Sequence, residues 1–126
     1  MKTQASHRFA DVTPRKMRPL AQLVRGKTVD EAVQLLRFLP NRGAKLITGV
    51  ILSARGNAVD KGIRDVDDMI LIDCRIDCGP MFKRIMPRAR GTAFSILRRL
   101  AHISVVLVDA DEQNEETGVA VGQSKV

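Results

Sequence analysis

The sequence has no tryptophan, no tyrosine and only four phenylalanines among its 126 residues. So few rings argue against a general platform for stacking nucleic-acid bases, because such platforms depend on aromatic side chains. Cysteine is equally scarce, since only Cys74 and Cys78 occur, four residues apart in a segment that alternates like a strand. Their side chains would point the same way but lie too far apart to bond. The sequence therefore predicts no disulfide framework and favours a reducing compartment such as the cytoplasm.

Long apolar runs and catalytic motifs are missing as well. No stretch approaches the roughly 18 consecutive apolar residues of a membrane span, and the N-terminus lacks a charged start followed by an apolar run. His7 and His102 are far apart in the sequence, and no metal-ligand spacing, phosphate-binding loop or nucleophile motif occurs. Asp65, Asp67 and Asp68 lack the glycine and terminal glutamate of a calcium loop. We predict that the protein is not an enzyme and has no catalytic residue, metal site, cofactor, small-molecule substrate or membrane partner.

Acidic residues are absent from Cys78 to Val108, although the chain contains 14 of them against 21 lysines and arginines, a net charge of +7. The cations of this basic arm are Lys83, Arg84, Arg88, Arg90, Arg98 and Arg99. Cations interspersed with apolar residues at this density repel one another in a compact core, so the arm requires an external polyanion. The phosphate backbone of a nucleic acid supplies one. An ordinary solvated face is the alternative, although such faces usually mix acids with lysines.

A second basic cluster opens the helical part of the sequence, with members Arg15, Lys16, Arg18, Arg25 and Lys27. Arg15, Lys16 and Arg18 are predicted to lie on the outer side of a helix near its start, where backbone amides also favour phosphate. RNA contact is the first hypothesis for this cluster, and solubilising charge is the alternative. After Val108 the balance of charge reverses, because acidic residues outnumber basic ones in the remaining segment. We predict one RNA-binding domain over residues 1–112 and an acidic, disordered tail over residues 113–126.

Apolar spacing and cap residues predict three helices, over residues 14–25, 29–39 and 42–61. Thr28 and Glu31 form a capping box at the start of the second helix. The apolar face of the third helix consists of Ile47, Val50, Ile51, Ala54 and Ala58. This face predicts that the third helix is the central and most buried one.

Strand signals flank the basic arm. Residues 6–12 permit a short strand, residues 70–77 alternate with Ile70, Ile72, Cys74 and Ile76 facing inward, and residues 103–108 are β-branched. Two strands around a long connection indicate an antiparallel hairpin whose protruding end is the arm, at about residues 79–102. The predicted fold class is α+β, with three helices packed on a small antiparallel sheet and a long protruding β-hairpin.

The reversal of the chain at the end of the arm falls near Pro87 and Gly91. Arg88 and Arg90 lie between them and present two planar guanidinium groups, which bind phosphate bidentately or stack on a base. Cations along the two limbs of the arm neutralise phosphates without reading sequence. The arm is therefore predicted to bind irregular RNA mainly through electrostatic attraction.

Several motifs carry a family resemblance: Thr13-Pro14-Arg15-Lys16-Met17-Arg18, Leu23-Val24-Arg25-Gly26-Lys27, Gly79-Pro80, Lys83-Arg84-Ile85-Met86-Pro87-Arg88-Ala89-Arg90-Gly91 and His102-Ile103-Ser104-Val105-Val106. Together they resemble the large-subunit ribosomal protein family twenty-two, over about residues 5–109. The resemblance implies an α+β body on the outer surface of the large subunit near the peptide exit, in the cytoplasm. It also implies binding to 23S-type rRNA, contact with neighbouring large-subunit proteins and a role in early assembly.

The same resemblance implies roles for individual residues. Arg88, Ala89 and Arg90 would form the tip that lines the nascent-peptide exit tunnel and meets the nascent peptide. The implied rRNA-binding residues are Arg15, Lys16, Arg18, Arg25, Lys83, Arg84, Arg88, Arg90, Arg98, Arg99 and His102.

Two other function classes fit parts of the sequence. The first two helices and Gly26 have helix-turn-helix spacing, so a DNA-binding regulator is the alternative function. The second helix would, however, present Asp30, Glu31 and Gln34 to the groove, and acids there repel phosphate. Residues 96–103 mix leucine, isoleucine and arginine like a membrane-surface peptide, but neighbouring proline and glycine favour a bent ribbon.

Overall fold

Three helices pack against a three-stranded antiparallel sheet in the computed structural model, which describes residues 1–111. The helices are α1 (Pro14–Val24), α2 (Val29–Phe38) and α3 (Arg42–Asp60). The strands are β1 (Lys2–Ala10), β2 (Ile70–Pro87) and β3 (Ala93–Val108), in the spatial order β1-β3-β2. This confirms the predicted α+β fold class and its protruding hairpin. The predicted tail, residues 113–126, lies outside the described residues.

Local sequence explains where the helices begin and end. Pro14 occupies the first position of α1, where its missing N–H is not needed, and Gly26 follows the helix with a φ of +84°. The hydroxyl of Thr28 accepts a 3.3 Å hydrogen bond from the backbone N–H of Glu31, as predicted for the cap of α2. The predicted helix bounds agree with the structure to within one residue at each end.

Helix α3 is the centre of the core, because it contacts α1, α2, β1 and β3. Its predicted apolar face is buried throughout, with members Ile47, Val50, Ile51, Ala54 and Ala58. Burying each of its larger aliphatic side chains stabilises the fold by about 1.5–3 kcal/mol. The prediction that α3 is the central helix is confirmed.

The inward face of β2 differs from the predicted alternation at its start. Leu71 is fully buried, whereas Ile70 and Ile72 are only half-buried. The cause is a register shift between Leu71 and Asp73, which leaves Ile72 as an extra residue and reverses which residues face the core. Beyond the shift the prediction holds, since Cys74 is buried.

The connection between α1 and α2 runs along the outer edge of β2. Gly26 donates its backbone N–H to the carbonyl of Leu71 at 2.7 Å, and the N–H of Leu71 donates to the carbonyl of Lys27 at 2.9 Å. The N–H of Val29 donates to Met69 at 3.0 Å. These bonds cover the start of an otherwise open strand edge and fix the end of α1 against the sheet.

Strand β1 is longer than predicted and begins earlier, at Lys2 instead of residue 6. It pairs with β3 from Lys2 opposite Val108 to Ala10 opposite Ala101, with a shift in register between His7 and Ala10. Most side chains of β1 are exposed and polar, so backbone pairing with β3 defines this strand and hydrophobic alternation does not.

The hairpin formed by β2 and β3 leaves the body near Gly79. All side chains of residues 80–99 are exposed, close to the predicted bounds of 79–102. A second register shift lies between Cys78 and Met81, where an added side chain at Gly79 would approach the carbonyl oxygen of Leu100 to 3.0 Å. Beyond that shift residues 81–87 pair regularly with residues 93–99, so the ribbon extends about 23 Å at ~3.3 Å per residue.

Candidate nucleic-acid interface

The hairpin presents two chemically different faces, because residues directly opposite each other on antiparallel strands share a face. The aromatic face consists of the pairs Phe82–Arg98, Arg84–Ile96 and Met86–Phe94. The aliphatic face consists of the pairs Met81–Arg99, Lys83–Leu97 and Ile85–Ser95. Both faces therefore carry cations, but rings occur on only one of them.

None of the six cations of the basic arm forms an ion pair with a carboxylate of residues 1–111. The arginines that do form ion pairs belong to the body: Arg42 with Asp11, Arg55 with Asp67 and Arg75 with Asp73. The side chains that carry the guanidinium and ammonium groups of the arm are exposed and accessible to an external partner. This is the arrangement that a phosphate backbone neutralises.

The end of the hairpin is a single turn of 3-10 helix, Ala89–Gly91. The backbone N–H of Arg88 donates to the carbonyl of Thr92 at 2.8 Å, and the hydroxyl of Thr92 donates to the carbonyl of Ala89 at the same distance. Arg90 adopts a positive φ of 64°, so the tip depends on its neighbours to hold a conformation that disfavours most side chains. The structure thus places the three predicted tip residues at the chain reversal.

The two predicted basic clusters converge at the root of the hairpin. Lys16 of α1 and Arg98 and Arg99 of β3 line one open groove of about 610 Å³, together with Arg42 and Asp11. We call it the cationic groove. Arg42 was not predicted from the sequence, although its position in the first turn of α3, directly after the cap residue, was an available signal.

Two more predicted residues flank this root. Arg15 and Arg18 are exposed on α1, and one guanidinium nitrogen of Arg18 lies 3.7 Å from the sulfur of Cys78. The outer side of α1 therefore continues onto the start of the hairpin as one basic surface.

Arg25 has a hydrogen-bond partner within the fold. Its guanidinium donates a 2.6 Å hydrogen bond to the backbone carbonyl of Cys74 on β2. A charge-assisted bond of this kind ties the end of α1 to the sheet. Cys74 itself is buried, and burial raises the pKa of its thiol to about 11.

His102 also has an internal partner. Its Nδ1 accepts a 3.0 Å hydrogen bond from the backbone N–H of Phe9, and its ring meets that of Phe9 edge-on with 5.0 Å between centroids. Because Nδ1 accepts this bond, Nε2 is the ring nitrogen that remains to donate a hydrogen bond. His102 therefore supports the bend of β1 and leaves one ring N–H for an RNA contact.

Other kinds of site find little support among residues 1–111. No group of three or more histidine, cysteine, aspartate or glutamate side chains is arranged to hold a metal ion there. No helix in the described part of the chain has the length and apolar character needed to cross a membrane.

Comparison with known proteins identifies the family. A model of the family described as Ribosomal protein L22p/L17e matches residues 5–108. Large ribosomal subunit protein uL22 of Lawsonia intracellularis is 45% identical over 112 residues, which cover 89% of this chain and 100% of that protein. The same protein of Rhodopirellula baltica is 45% identical over 82% of this chain and 91% of its own, and that of Desulforamulus reducens is 42% identical over 89% and 99%. The resemblance noted in the sequence is confirmed, and the chain belongs to the ribosomal protein L22p/L17e family.

Proposed function

We propose that this protein is a structural, non-enzymatic constituent of the large ribosomal subunit in the bacterial cytoplasm, where it associates with ribosomal RNA and other ribosomal proteins. Its family and its relatives from bacteria support this assignment. The alternative of a helix-turn-helix regulator is not favoured, because α2 exposes Asp30 and Glu31 where such a regulator needs neutral or basic side chains.

Within the subunit, the basic surface formed by the hairpin and α1 binds 23S-type rRNA and contributes to early assembly. The observation that carries this proposal is the exposed run of residues 80–99, which holds six cations without an acidic partner among the described residues. The rRNA-binding residues are the exposed cations of the hairpin and of α1, with His102 as a further donor at the hairpin root. Arg25 belongs to the same set of rRNA-binding residues, because its side chain is exposed although one of its nitrogens is bonded to the carbonyl of Cys74.

The assembly role is tested by reversing charge at the tip. The double variant Arg88→Glu, Arg90→Glu should fold as the wild type does, because both side chains are exposed beyond the body. It should enter purified large subunits poorly, because two carboxylates replace two phosphate-binding groups. Arg37→Glu with Arg64→Glu is the matched control, since these exposed arginines lie on the body. Equal incorporation of both double variants into large subunits would refute the proposal.

The hairpin tip, formed by Arg88, Ala89 and Arg90, lines the nascent-peptide exit tunnel. A narrow ribbon that ends in one tight turn supports this role, because it reaches into a confined space while its limbs contact RNA. A photo-crosslinking residue introduced at Ala89 should attach to a radiolabelled nascent chain in stalled ribosomes. The same residue at Arg37 is the control, and labelling at both positions or at neither would contradict the tunnel assignment.

A further inference from the structure

No phenylalanine of this protein contributes its ring to the hydrophobic core. The exposed fractions are 55% for Phe9, 86% for Phe38, 52% for Phe82 and 59% for Phe94. Large rings usually drive core packing, so leaving all four in solvent forgoes their usual contribution to stability. Rings that do not support the fold are available for a partner.

Three of these rings have an arginine beside them. The guanidinium carbons of Arg8, Arg84 and Arg88 lie 5.4, 5.2 and 5.7 Å from the ring centroids of Phe9, Phe82 and Phe94, respectively. Cation–π contact holds each guanidinium close to its ring. A flat apolar surface next to a cation is the combination that binds a base together with its phosphate.

Two of the rings line one open pocket at the hairpin root, with a volume of about 740 Å³. We call it the aromatic pocket. Its walls are Phe9, Pro80, Phe82, Arg84, Arg98 and Leu100, and Asp11 completes the lining. The volume lies within the range of about 300–1,000 Å³ that is usual for small-ligand sites.

Phe9 reaches this pocket at a conformational cost. Its φ is +62°, a left-handed conformation that costs a bulky L-residue roughly 1–2 kcal/mol. The register shift in β1 and the hydrogen bond from its N–H to His102 hold it there. Backbone strain of this kind is common at binding sites, and here it belongs to a residue whose ring is exposed, which supports a binding role for Phe9.

The lining of the aromatic pocket offers a base a hydrogen-bond acceptor. One oxygen of the Asp11 carboxylate accepts from Arg42 at 3.2 Å, and the remaining acceptor sites of the carboxylate suit the amino and imino groups of a base. Asp11 and Arg98 also line the neighbouring cationic groove, so the two cavities are adjacent. One nucleotide can therefore place its phosphate in the cationic groove and its base in the aromatic pocket.

We propose that the aromatic pocket binds one unpaired RNA base, stacked on Phe82 and Phe9, while the cationic groove holds the adjoining phosphate. This inference rests on the proposed binding of rRNA and adds a base-specific site to it. The hairpin root then distinguishes single-stranded from duplex RNA, because only an unpaired base can leave its helix and enter the pocket.

The test uses the full chain and two single-stranded probes of equal length and charge, an adenosine decamer of RNA and a ten-unit abasic strand. Wild-type protein should bind the decamer more tightly, by about 5- to 150-fold, the range expected for stacking one base. Phe82→Leu should lower this ratio about fivefold or more, because it weakens binding of the decamer more than binding of the abasic strand. Phe38→Leu is the control, since Phe38 lies on α2 away from the pocket.

The outcomes separate this inference from the proposed function. Equal affinity of the wild type for both probes, with a steep dependence on salt, would overturn the base pocket and leave phosphate binding intact. Weak binding of both probes, independent of salt, would contradict the proposed rRNA binding itself. Displacement of the decamer by an uncharged apolar decapeptide at equal concentration would make the pocket a peptide site and would also overturn the inference.

Discussion

The salt dependence of rRNA binding offers the sharpest test of the electrostatic account. Each phosphate neutralised by a protein cation contributes about −0.7 to −0.9 to the slope of log affinity against log salt. Six hairpin cations without carboxylate partners in residues 1–111 then contribute a slope of about −4 to −5. Raising monovalent salt from about 50 to 200 mM should weaken binding by about 250- to 1,000-fold through the hairpin alone.

Removing two of these cations should flatten the slope by a predictable amount. The variant Arg88→Gln, Arg90→Gln should show a slope about 1.5 less negative than wild type, measured by fluorescence anisotropy with a labelled 23S-type rRNA transcript. The control Arg37→Gln, Arg64→Gln lowers net charge equally, from +7 to +5, and should leave the slope within about 0.5 of wild type. Identical slopes for the two double variants would show that net charge governs binding and that the hairpin has no special part in it.

Three further results are expected in the isolated protein. Gly79→Ala should lower the free energy of unfolding in urea by about 1–3 kcal/mol, because its Cβ would press on the Leu100 carbonyl. Gly56→Ala in α3 is the control and should raise the free energy of unfolding by up to about 1 kcal/mol, because the space around Gly56 is open. Iodoacetamide at pH 8 should label Cys78 quickly and Cys74 only after unfolding; rapid double labelling of folded protein would contradict the burial of Cys74. Because the Cys74 pKa is raised from 9.0 to about 11, the thiol should lose up to about 2–3 kcal/mol of its contribution to stability between those pH values. The stability difference between wild type and Cys74→Ala should therefore shrink over that interval, and a constant difference would contradict the raised pKa.

Sequence patterns predicted the helices well because their signals are local. The proline at the start of α1, the cap at Thr28 and the apolar face of α3 each act within a few residues, so the bounds and the central position of α3 were correct. The strands depend on partners distant in sequence. The reversal at Leu71 and the early start of β1 both follow from pairing with β3, which no local alternation encodes.

The candidate interface, like the fold, could be predicted from the sequence only in part. A run without acids is visible in the sequence, and it led directly to the exposed hairpin and to the residues at its tip. That Lys16 lines the same groove as Arg98 and Arg99 could be seen only in the tertiary structure. The same is true of the position of Arg42 at this groove. The internal bond of Arg25 was invisible for the same reason, because its acceptor is a backbone carbonyl 49 residues away.

The ribbon beyond Gly79 has two unprotected outer edges, since in the described residues β1 stops pairing at Ala101 and the connection before α2 covers only the start of β2. Free edges of this kind template association between newly made chains, which is a route to aggregation. Mutual repulsion between arginine-rich ribbons opposes that association. The same side chains thus act as gatekeepers that keep the unassembled chain soluble until RNA encloses it.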